Sequence, residues 1–460
     1  MAAARALAAR GNGEVRVWDE NADPPLPERA AELRQIGVDV WLGGDGAEML
    51  GDARALVKSP GAPPEIPPVA EAARRGLPVI DELEIGWRLT PAPTVAVTGT
   101  NGKSTVSALC VAVLAAHGLE PTLVGNTEFG PPFSELSGGD PPRSIVAEVS
   151  SYQAECSPAL AVDAAVFTTL TPDHLNRHRT MEAYAAAKRN LFVRGDWAAP
   201  LAAVNVDDGF GRKLADEIDE RGSRALRFGS GPDAAYRIAE CRWDLRDAEL
   251  VVEAPGGTVR LRTRLPGAHN AANVAAVLAL ADGLGLPREA TLAALAIAAP
   301  VPGRFEVVDV AAPFDVVVDF SYTADSVAKA LTAARAVVAP RGGRLLTVAA
   351  IMGRAGTLLG REVGPVARRL SDHLILSGAS YRGEPRLPTL AALAGSARAA
   401  DGATLEVVID RRAAISRAME VARPGDLVAL LGRGPAAREA TDSRGGFVPL
   451  DDRQVARELA

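Results

Sequence analysis

Apolar and polar positions along the chain switch between two periods. Short β-rich runs recur at Thr94 to Thr98, Thr122 to Val124, Ile145 to Val149, Ala165 to Thr169 and Ala202 to Val206, and stretches of helical apolar period lie between them. Buried strands alternating with helices at this spacing predict a mainly parallel sheet. Between Ala235 and Leu265 the pattern becomes strict alternation around Pro255-Gly256-Gly257, which predicts hairpins. From about Pro300 it restarts, with strands expected at Val316 to Phe320, Leu345 to Ala350, His373 to Ser377, Glu406 to Ile409 and Asp426 to Leu431. Upstream, a helix Ala2 to Arg10 closed by Gly11 leads into a strand Val15 to Asp19, with further short strands at Val38 to Leu42, Ala55 to Val57 and Leu77 to Ile80. The expected organisation is three α/β domains, residues 1–89, 90–299 and 300–460, with Val301-Pro-Gly-Arg304 as the last hinge.

Composition narrows the class. Hydrophobic content is 48% and charged content 23%, the balance of an ordinary globular chain. The net charge of −7 is spread over both signs with no Lys/Arg block, which argues against a nucleic-acid or membrane-surface footprint. The longest mostly apolar stretch, Ala271 to Ala281, is too short to span a bilayer. Cys110, Cys156 and Cys241 are widely spaced without a Cys-x-x-Cys pair, so neither a disulfide framework nor a zinc site is expected, and the expected compartment is the reducing cytoplasm.

The chemistry centres on Thr94-Val-Ala-Val-Thr-Gly-Thr-Asn-Gly-Lys-Ser-Thr105, a strand, a turn and the start of a helix. Gly99 and Gly102 let the backbone bend around Thr100 and Asn101, the helix N-terminus adds partial positive charge, Lys103 supplies a full charge for phosphates, and Ser104 is placed for magnesium. The position five residues before Gly102 is Val97, so only the shorter Gly-x-x-Gly-Lys-Ser form of the phosphate loop is met; the bland alternative is a Gly-Asn turn feeding an ordinary helix. Glu148 closes its strand and is followed by Ser150 and Ser151, which also read as a helix cap with Glu155. His174, after Asp173, reads by itself as a polar loop residue, Lys188 as a solvated lysine on a helix, and Ser59-Pro-Gly61 as a plain turn. A helix leading to a strand that ends in an acid, here Asp19, is the second half of a nucleotide-binding βαβ unit. Its glycine-rich first turn does not precede Ala2. The expectation is that the encoding DNA continues in frame upstream, or that this region binds its nucleotide without that turn.

The string Thr98 to Thr105 resembles the ATP loop of the Mur ligases and folylpolyglutamate synthases, and Glu148-Val-Ser-Ser-Tyr-Gln153, Asp173-His174 and Lys188 extend the likeness to the Mur ligases. The resemblance implies a three-domain architecture: a Rossmann-like N-terminal domain, a P-loop central domain with a parallel sheet, and an α/β C-terminal domain. It implies ATP and Mg2+ as cofactors, with Lys103, His174 and Lys188 in catalysis, Ser104, Glu148, His174 and Lys188 around the metal, and Lys188 carbamylated by CO2. Asn270, Asn273, Arg304 and Asp319 match nucleotide contacts beside Gly99 to Thr105. Ser59-Pro-Gly61 with Pro78 to Leu89 resembles the UDP-binding domain of the glutamate-adding members. On that likeness Asp19, Ser59, Asn126 and Ser150 lie on the substrate side.

The first two domains resemble members that add D-glutamate to UDP-N-acetylmuramoyl-L-alanine. In the third, Val318 to Ser326, Gly353-Arg-Ala-Gly356 and Leu431-Gly-Arg-Gly434 are similar instead to L-amino-acid-adding members, and the strings Asn-Asp-Ser-Lys-Ala-Thr-Asn and Asp-Asn-Pro-Arg are absent. This mixture fits a branch that adds L-glutamate to the same acceptor and leaves inversion to an epimerase. The expected partners are UDP-N-acetylmuramoyl-L-alanine and glutamate, with neither nucleic acid nor membrane, and the expected state is a monomer. Arg382 and Arg433 are the cationic candidates for the glutamate carboxylates. The rival readings are a D-glutamate-adding ligase, a folylpolyglutamate synthase-like ligase and a generic P-loop ATPase.

Overall fold

Val95, Ala96 and Val97 are buried on both faces of the strand Thr94–Thr98, which is why the sequence there is apolar without alternation. The computed structural model describes every residue except 12, 23–25, 353–355, 381–385 and 442–445. Two compact units emerge: Met1–Glu240 with Leu250–Leu261 and Ala271–Ala298, and Cys241–Glu249 with Arg262–Asn270 and Ala299–Ala460.

Thr94–Thr98 lies inside a sheet ordered Pro121–Gly125, Ser144–Glu148, Thr94–Thr98, Ala164–Phe167, Leu201–Asn205, Arg224–Gly229, Tyr236–Trp243, Ala248–Ala254 and Gly257–Thr263, the first six of them wholly in the first unit. The first seven run parallel to one another. The chain leaves Thr94–Thr98 for the edge strand Pro121–Gly125, returns beside it at Ser144–Glu148, then crosses to its other side at Ala164–Phe167. Strand order therefore reverses about Thr94–Thr98, and the loops after these strands gather where open parallel sheets hold their ligands. Arg224–Gly229 was not among the expected strands; its outer residues are half exposed and charged, which breaks the apolar run.

Residues 1–89 contain two small parallel pairs, Arg16–Asp19 with Asp39–Leu42 and Leu56–Lys58 with Val79–Asp81. The helix Ala2–Arg10 ends on Gly11 in the left-handed conformation, as the sequence indicated.

The second unit is built on a six-stranded sheet ordered Glu306–Val308, Asp315–Asp319, Leu427–Leu431, Leu345–Ala349, His373–Leu376 and Thr404–Val407. Only Glu306–Val308 runs antiparallel to its neighbour. The strand expected at Glu406 to Ile409 begins two residues earlier, at Thr404; it is an edge strand, and its half-buried residues give the apolar pattern little to register. Helix Gly356–Leu370 packs closely on helix Arg386–Arg398 through Gly360 and Gly364, where a Cβ on Gly364 would lie 2.6 Å from the Leu393 carbonyl oxygen. No helix among the described residues is long and apolar enough to cross a membrane.

Candidate active site

Gly99 to Gly102 connect the central strand to the helix Lys103–Ala116, with Gly102 as N-cap at φ 89°. Both glycines are required by close approach. A Cβ on Gly99 would sit 1.9 Å from Thr168 Oγ1, and one on Gly102 would sit 2.5 Å from Asn273 Oδ1. The loop is held from outside by the threonines that follow the adjacent strand Ala164–Phe167. Thr100 N donates to the Thr169 carbonyl at 2.7 Å, Asn101 N to Thr169 Oγ1 at 3.0 Å, and Thr168 Oγ1 to the Asn101 carbonyl at 2.6 Å. Thr171 N donates to Thr100 Oγ1 at 3.0 Å, and the same hydroxyl lies 3.1 Å from the Tyr184 hydroxyl. A loop fixed at this many points is preorganised for a phosphate chain.

Two lysines meet at this loop. Lys103 Nζ donates to the carbonyls of Gly99 at 3.1 Å and Thr100 at 2.9 Å, and Lys188 Nζ donates to the same Gly99 carbonyl at 2.7 Å. Lys188 is buried, on the face of helix Met181–Arg189 that also buries Tyr184 and Ala187, and its nitrogen lies 4.6 Å from the centroid of the Tyr184 ring. Burial, helped by the neighbouring Lys103 cation and opposed by Asp173, holds the Lys188 amine well below the usual lysine range. The solvated-helix reading of Lys188 is thereby corrected.

Glu148 is buried at the end of its strand, and Asn126 follows the parallel neighbour Pro121–Gly125, its main-chain N–H donating to the Glu148 carbonyl at 2.7 Å. Ser150 is the N-cap of the helix Ser151–Glu155 and forms a capping box with Gln153, not with Glu155 as the sequence reading had it. His174 sits at φ 55°, in the left-handed region, as N-cap of the turn Leu175–His178. Its Nδ1 is 3.1 Å from the Tyr152 hydroxyl and its Nε2 is 3.4 Å from Asp173 Oδ2. Burial, reinforced by Lys103 and Lys188 and opposed by Asp173, lowers its pKa and favours the neutral imidazole that ligates metals. Among the described residues no three His, Cys, Asp or Glu side chains converge as a metal cage. A hydroxyl, one carboxylate and one imidazole around a phosphate loop suit magnesium, which commonly takes one or two protein ligands and completes its shell with phosphate oxygens and water.

In the first unit, Asn273 lies against Gly102. Asp19 ends the strand Arg16–Asp19 and Ser59 follows the strand Leu56–Lys58; Asp19 Oδ1 accepts from Asn21 N at 3.0 Å and Ser59 is exposed. In the second unit, Asn270 Nδ2 donates to the Pro266 carbonyl at 2.7 Å, the Arg304 guanidinium lies 4.7 Å from the centre of the Phe320 ring, and Asp319 Oδ2 accepts from Phe305 N at 2.7 Å. Arg304 and Asp319 are thus brought together at a strand end.

Arg433 is corrected: it is fully buried, with Nη1 3.2 Å from Glu439 Oε2 and Nη2 donating to the Leu450 carbonyl at 2.8 Å. An interior guanidinium with those partners does not offer itself to a soluble amino acid. Arg382 lies outside the described residues. The sequence reading missed Tyr152, Tyr184 and the threonine buttress. The Tyr184 and Lys188 pair at i, i+4 was a usable signal, because that spacing puts both on one helix face.

A glycine-and-lysine loop between strand and helix, at the strand-order reversal of a parallel sheet, is the arrangement in which nucleotide-binding α/β proteins hold phosphate. Residues 97–281 match the Mur ligase middle domain and residues 303–434 the Mur ligase glutamate ligase domain. The chain is 36% identical over 66% of its length to the UDP-N-acetylmuramoylalanine–D-glutamate ligase of Synechococcus sp., covering 65% of that protein. To the ligase of the same name from Alcanivorax borkumensis it is 30% identical over 94% of its length and 92% of the relative. It is also 32% identical over 79% of its length to the UDP-N-acetylmuramoyl-L-alanyl-D-glutamate–2,6-diaminopimelate ligase of Chromobacterium violaceum, covering 76% of it. In fold it is similar to the UDP-N-acetylmuramate–alanine ligase of Thermotoga maritima, at TM-score 0.60 and 19% identity over 99% of this chain and 95% of that one. It is likewise similar to the MurF ligase of that organism in complex with ADP, at TM-score 0.60 and 18% identity over 85% of this chain and 90% of that one. The chain belongs to the Mur ligase family, whose members are ATP-dependent ligases that form amide bonds.

Proposed function

We propose that this protein joins L-glutamate to UDP-N-acetylmuramoyl-L-alanine at the expense of ATP, in the cytoplasmic synthesis of peptidoglycan precursors, and that it does so through three domains, 1–89, 90–299 and 300–460. The observation that carries the acceptor is the likeness to the Alcanivorax ligase over nine tenths of both chains. The preference for the L hand rests on the third-domain strings Val318 to Ser326 and Leu431 to Gly434, and the comparable identity to a diaminopimelate ligase is consistent with a mixed ancestry.

A carboxylate resists attack by an amine until one of its oxygens becomes a leaving group. Transfer of the terminal phosphoryl of ATP to the acceptor carboxylate makes an acyl phosphate and ADP; the glutamate amine then attacks the acyl carbon, and phosphate leaves. Lys103 and the N-terminus of helix Lys103–Ala116 stabilise charge on the transferring phosphoryl. Asn270, Asn273, Arg304 and Asp319 hold the nucleotide, while Asp19 and Ser59 serve the UDP part, and Asn126 and Ser150 the muramyl part, of the acceptor. Ser104, Glu148, His174 and Lys188 would hold Mg2+. When bound, the ion supplies Lewis-acid stabilisation of the phosphates.

Lys188 enters that set as a carbamate: its amine, which burial favours in the neutral form, adds to CO2 and releases one proton, giving an anion suited to a metal. Protein equilibrated with 13C-bicarbonate is expected to show a carbamate carbon resonance that Lys188→Arg lacks. Identical spectra from the two proteins would remove the carbamate from the scheme.

The hand is decided by a paired assay of purified protein with UDP-N-acetylmuramoyl-L-alanine, ATP and Mg2+, given L- or D-glutamate. An enantiomer held at three points misplaces one group when inverted, and the loss of a charged hydrogen bond is worth roughly 1.5–3 kcal/mol, a preference of at least about tenfold. Phosphate release is expected with L-glutamate. A preference for D-glutamate would return the protein to the D-glutamate ligases, and release with a folate acceptor or with none would favour the remaining rivals.

A further inference from the structure

Tyr152 belongs to none of the roles assigned above, yet its ring is tightly held. It stacks on His178 with 5.5 Å between centroids and 27° between planes, tilts on His174 at 4.9 Å, and has the Arg177 guanidinium 5.8 Å from its centre. His178 is itself fixed, with Nε2 2.9 Å from Ser151 Oγ and its ring 5.3 Å from that of Tyr184. So gripped, the Tyr152 hydroxyl reaches within 3.1 Å of His174 Nδ1, on a residue whose backbone is already confined to the left-handed region.

We propose that Tyr152 is a positioning residue for His174: its hydroxyl engages Nδ1, so that the Nε2 edge beside Asp173 is the one offered to a divalent cation. The inference rests on the reading of His174 as a metal ligand. Its chemical reason is that an imidazole binds a metal through an unprotonated nitrogen while the opposite N–H needs an acceptor. A phenol hydroxyl donates to Nδ1 while Nε2 carries the proton, and accepts from Nδ1–H once Nε2 is given to the cation. His174 therefore keeps a hydrogen bond in both states, which a phenylalanine at 152 would not provide.

The test uses Mn2+ as the probe, titrated by its electron paramagnetic resonance signal into the full-length protein saturated with ADP. Tyr152→Phe keeps the stack on His178, so its melting temperature should stay close to wild type, while Mn2+ affinity is expected to fall about tenfold, in the range typical of lost outer hydrogen bonds to ligating histidines. The Mg2+ concentration for half-maximal turnover should rise in parallel, with kcat at saturating Mg2+ much less affected. Unchanged Mn2+ affinity in Tyr152→Phe, with a loss only when Tyr152→Leu removes the ring, would assign Tyr152 to packing and overturn the proposal. His174→Asn separates the two levels. If it weakens Mn2+ and Tyr152→Phe does not, the positioning role alone fails; if His174→Asn leaves Mn2+ binding intact, the ligand reading falls and this inference with it.

Discussion

Lys103→Ala is expected to abolish phosphate release that depends on both the nucleotide acceptor and glutamate, lowering kcat by at least about a hundredfold, and to leave the melting temperature nearly unchanged. The asymmetry follows from what the side chain touches. Its nitrogen donates to the carbonyls of Gly99 and Thr100, contacts internal to the loop, and Lys188 donates to the same Gly99 carbonyl. The reaction loses a full positive charge at the loop proposed to hold the phosphates, and removing a preorganised donor from a developing phosphoryl or oxyanion charge typically costs about 10²–10³ in rate. Turnover within tenfold of wild type would move the phosphate site away from Gly99 to Ser104.

The strand, loop and helix from Thr94 to Ala116 were legible because their signal is local: a doubly buried strand, two glycines and Gly-Lys-Ser lie in consecutive residues, and the structure differs from the expected strand ends by a residue or so at Ser144–Glu148 and Leu201–Asn205. What surrounds the loop was less legible. The hydroxyls of Thr168 and Thr169 and the main-chain N–H of Thr171 act at points set by a neighbouring strand, and residues after a strand have no period that announces which loop group they will meet. Ser150 and Gln153 could have been paired by the three-residue spacing of a capping box, but Glu155 drew the acidic reading first. Tyr152 was read only as part of a resemblance string, since its contact with His174 spans 22 residues of sequence and exists only once the left-handed turn at His174 is made.

Arg433 failed as a substrate residue for a reason with its own consequence. Charge alone cannot tell an arginine that waits for a ligand from one that ties a domain together, and here the second case holds. Arg411 and Arg433 are both fully buried, and Asp452 lies between them, 2.6 Å from Arg411 Nη2 and 3.4 Å from Arg433 Nε. Arg411 also donates to the carbonyls of Val348 at 3.3 Å and Leu431 at 3.2 Å and to Ser377 Oγ at 3.1 Å, joining three strand ends of the second unit's sheet. Glu439 is the second interior carboxylate, shared between Arg433 and Arg386. Asp452→Asn keeps the shape and removes the charge, leaving two buried guanidinium groups to one carboxylate. Breaking a buried ion pair from one side costs about 3–5 kcal/mol, because the partner's desolvation is no longer offset. The expected result is a loss of that order in the second unit, read as faster amide exchange in Leu345–Ala349 and Leu427–Leu431 with exchange in Thr94–Thr98 unchanged. A loss below about 1 kcal/mol would mean that solvent reaches Arg411 and Arg433, and would reopen Arg433 as a contact for the glutamate carboxylates.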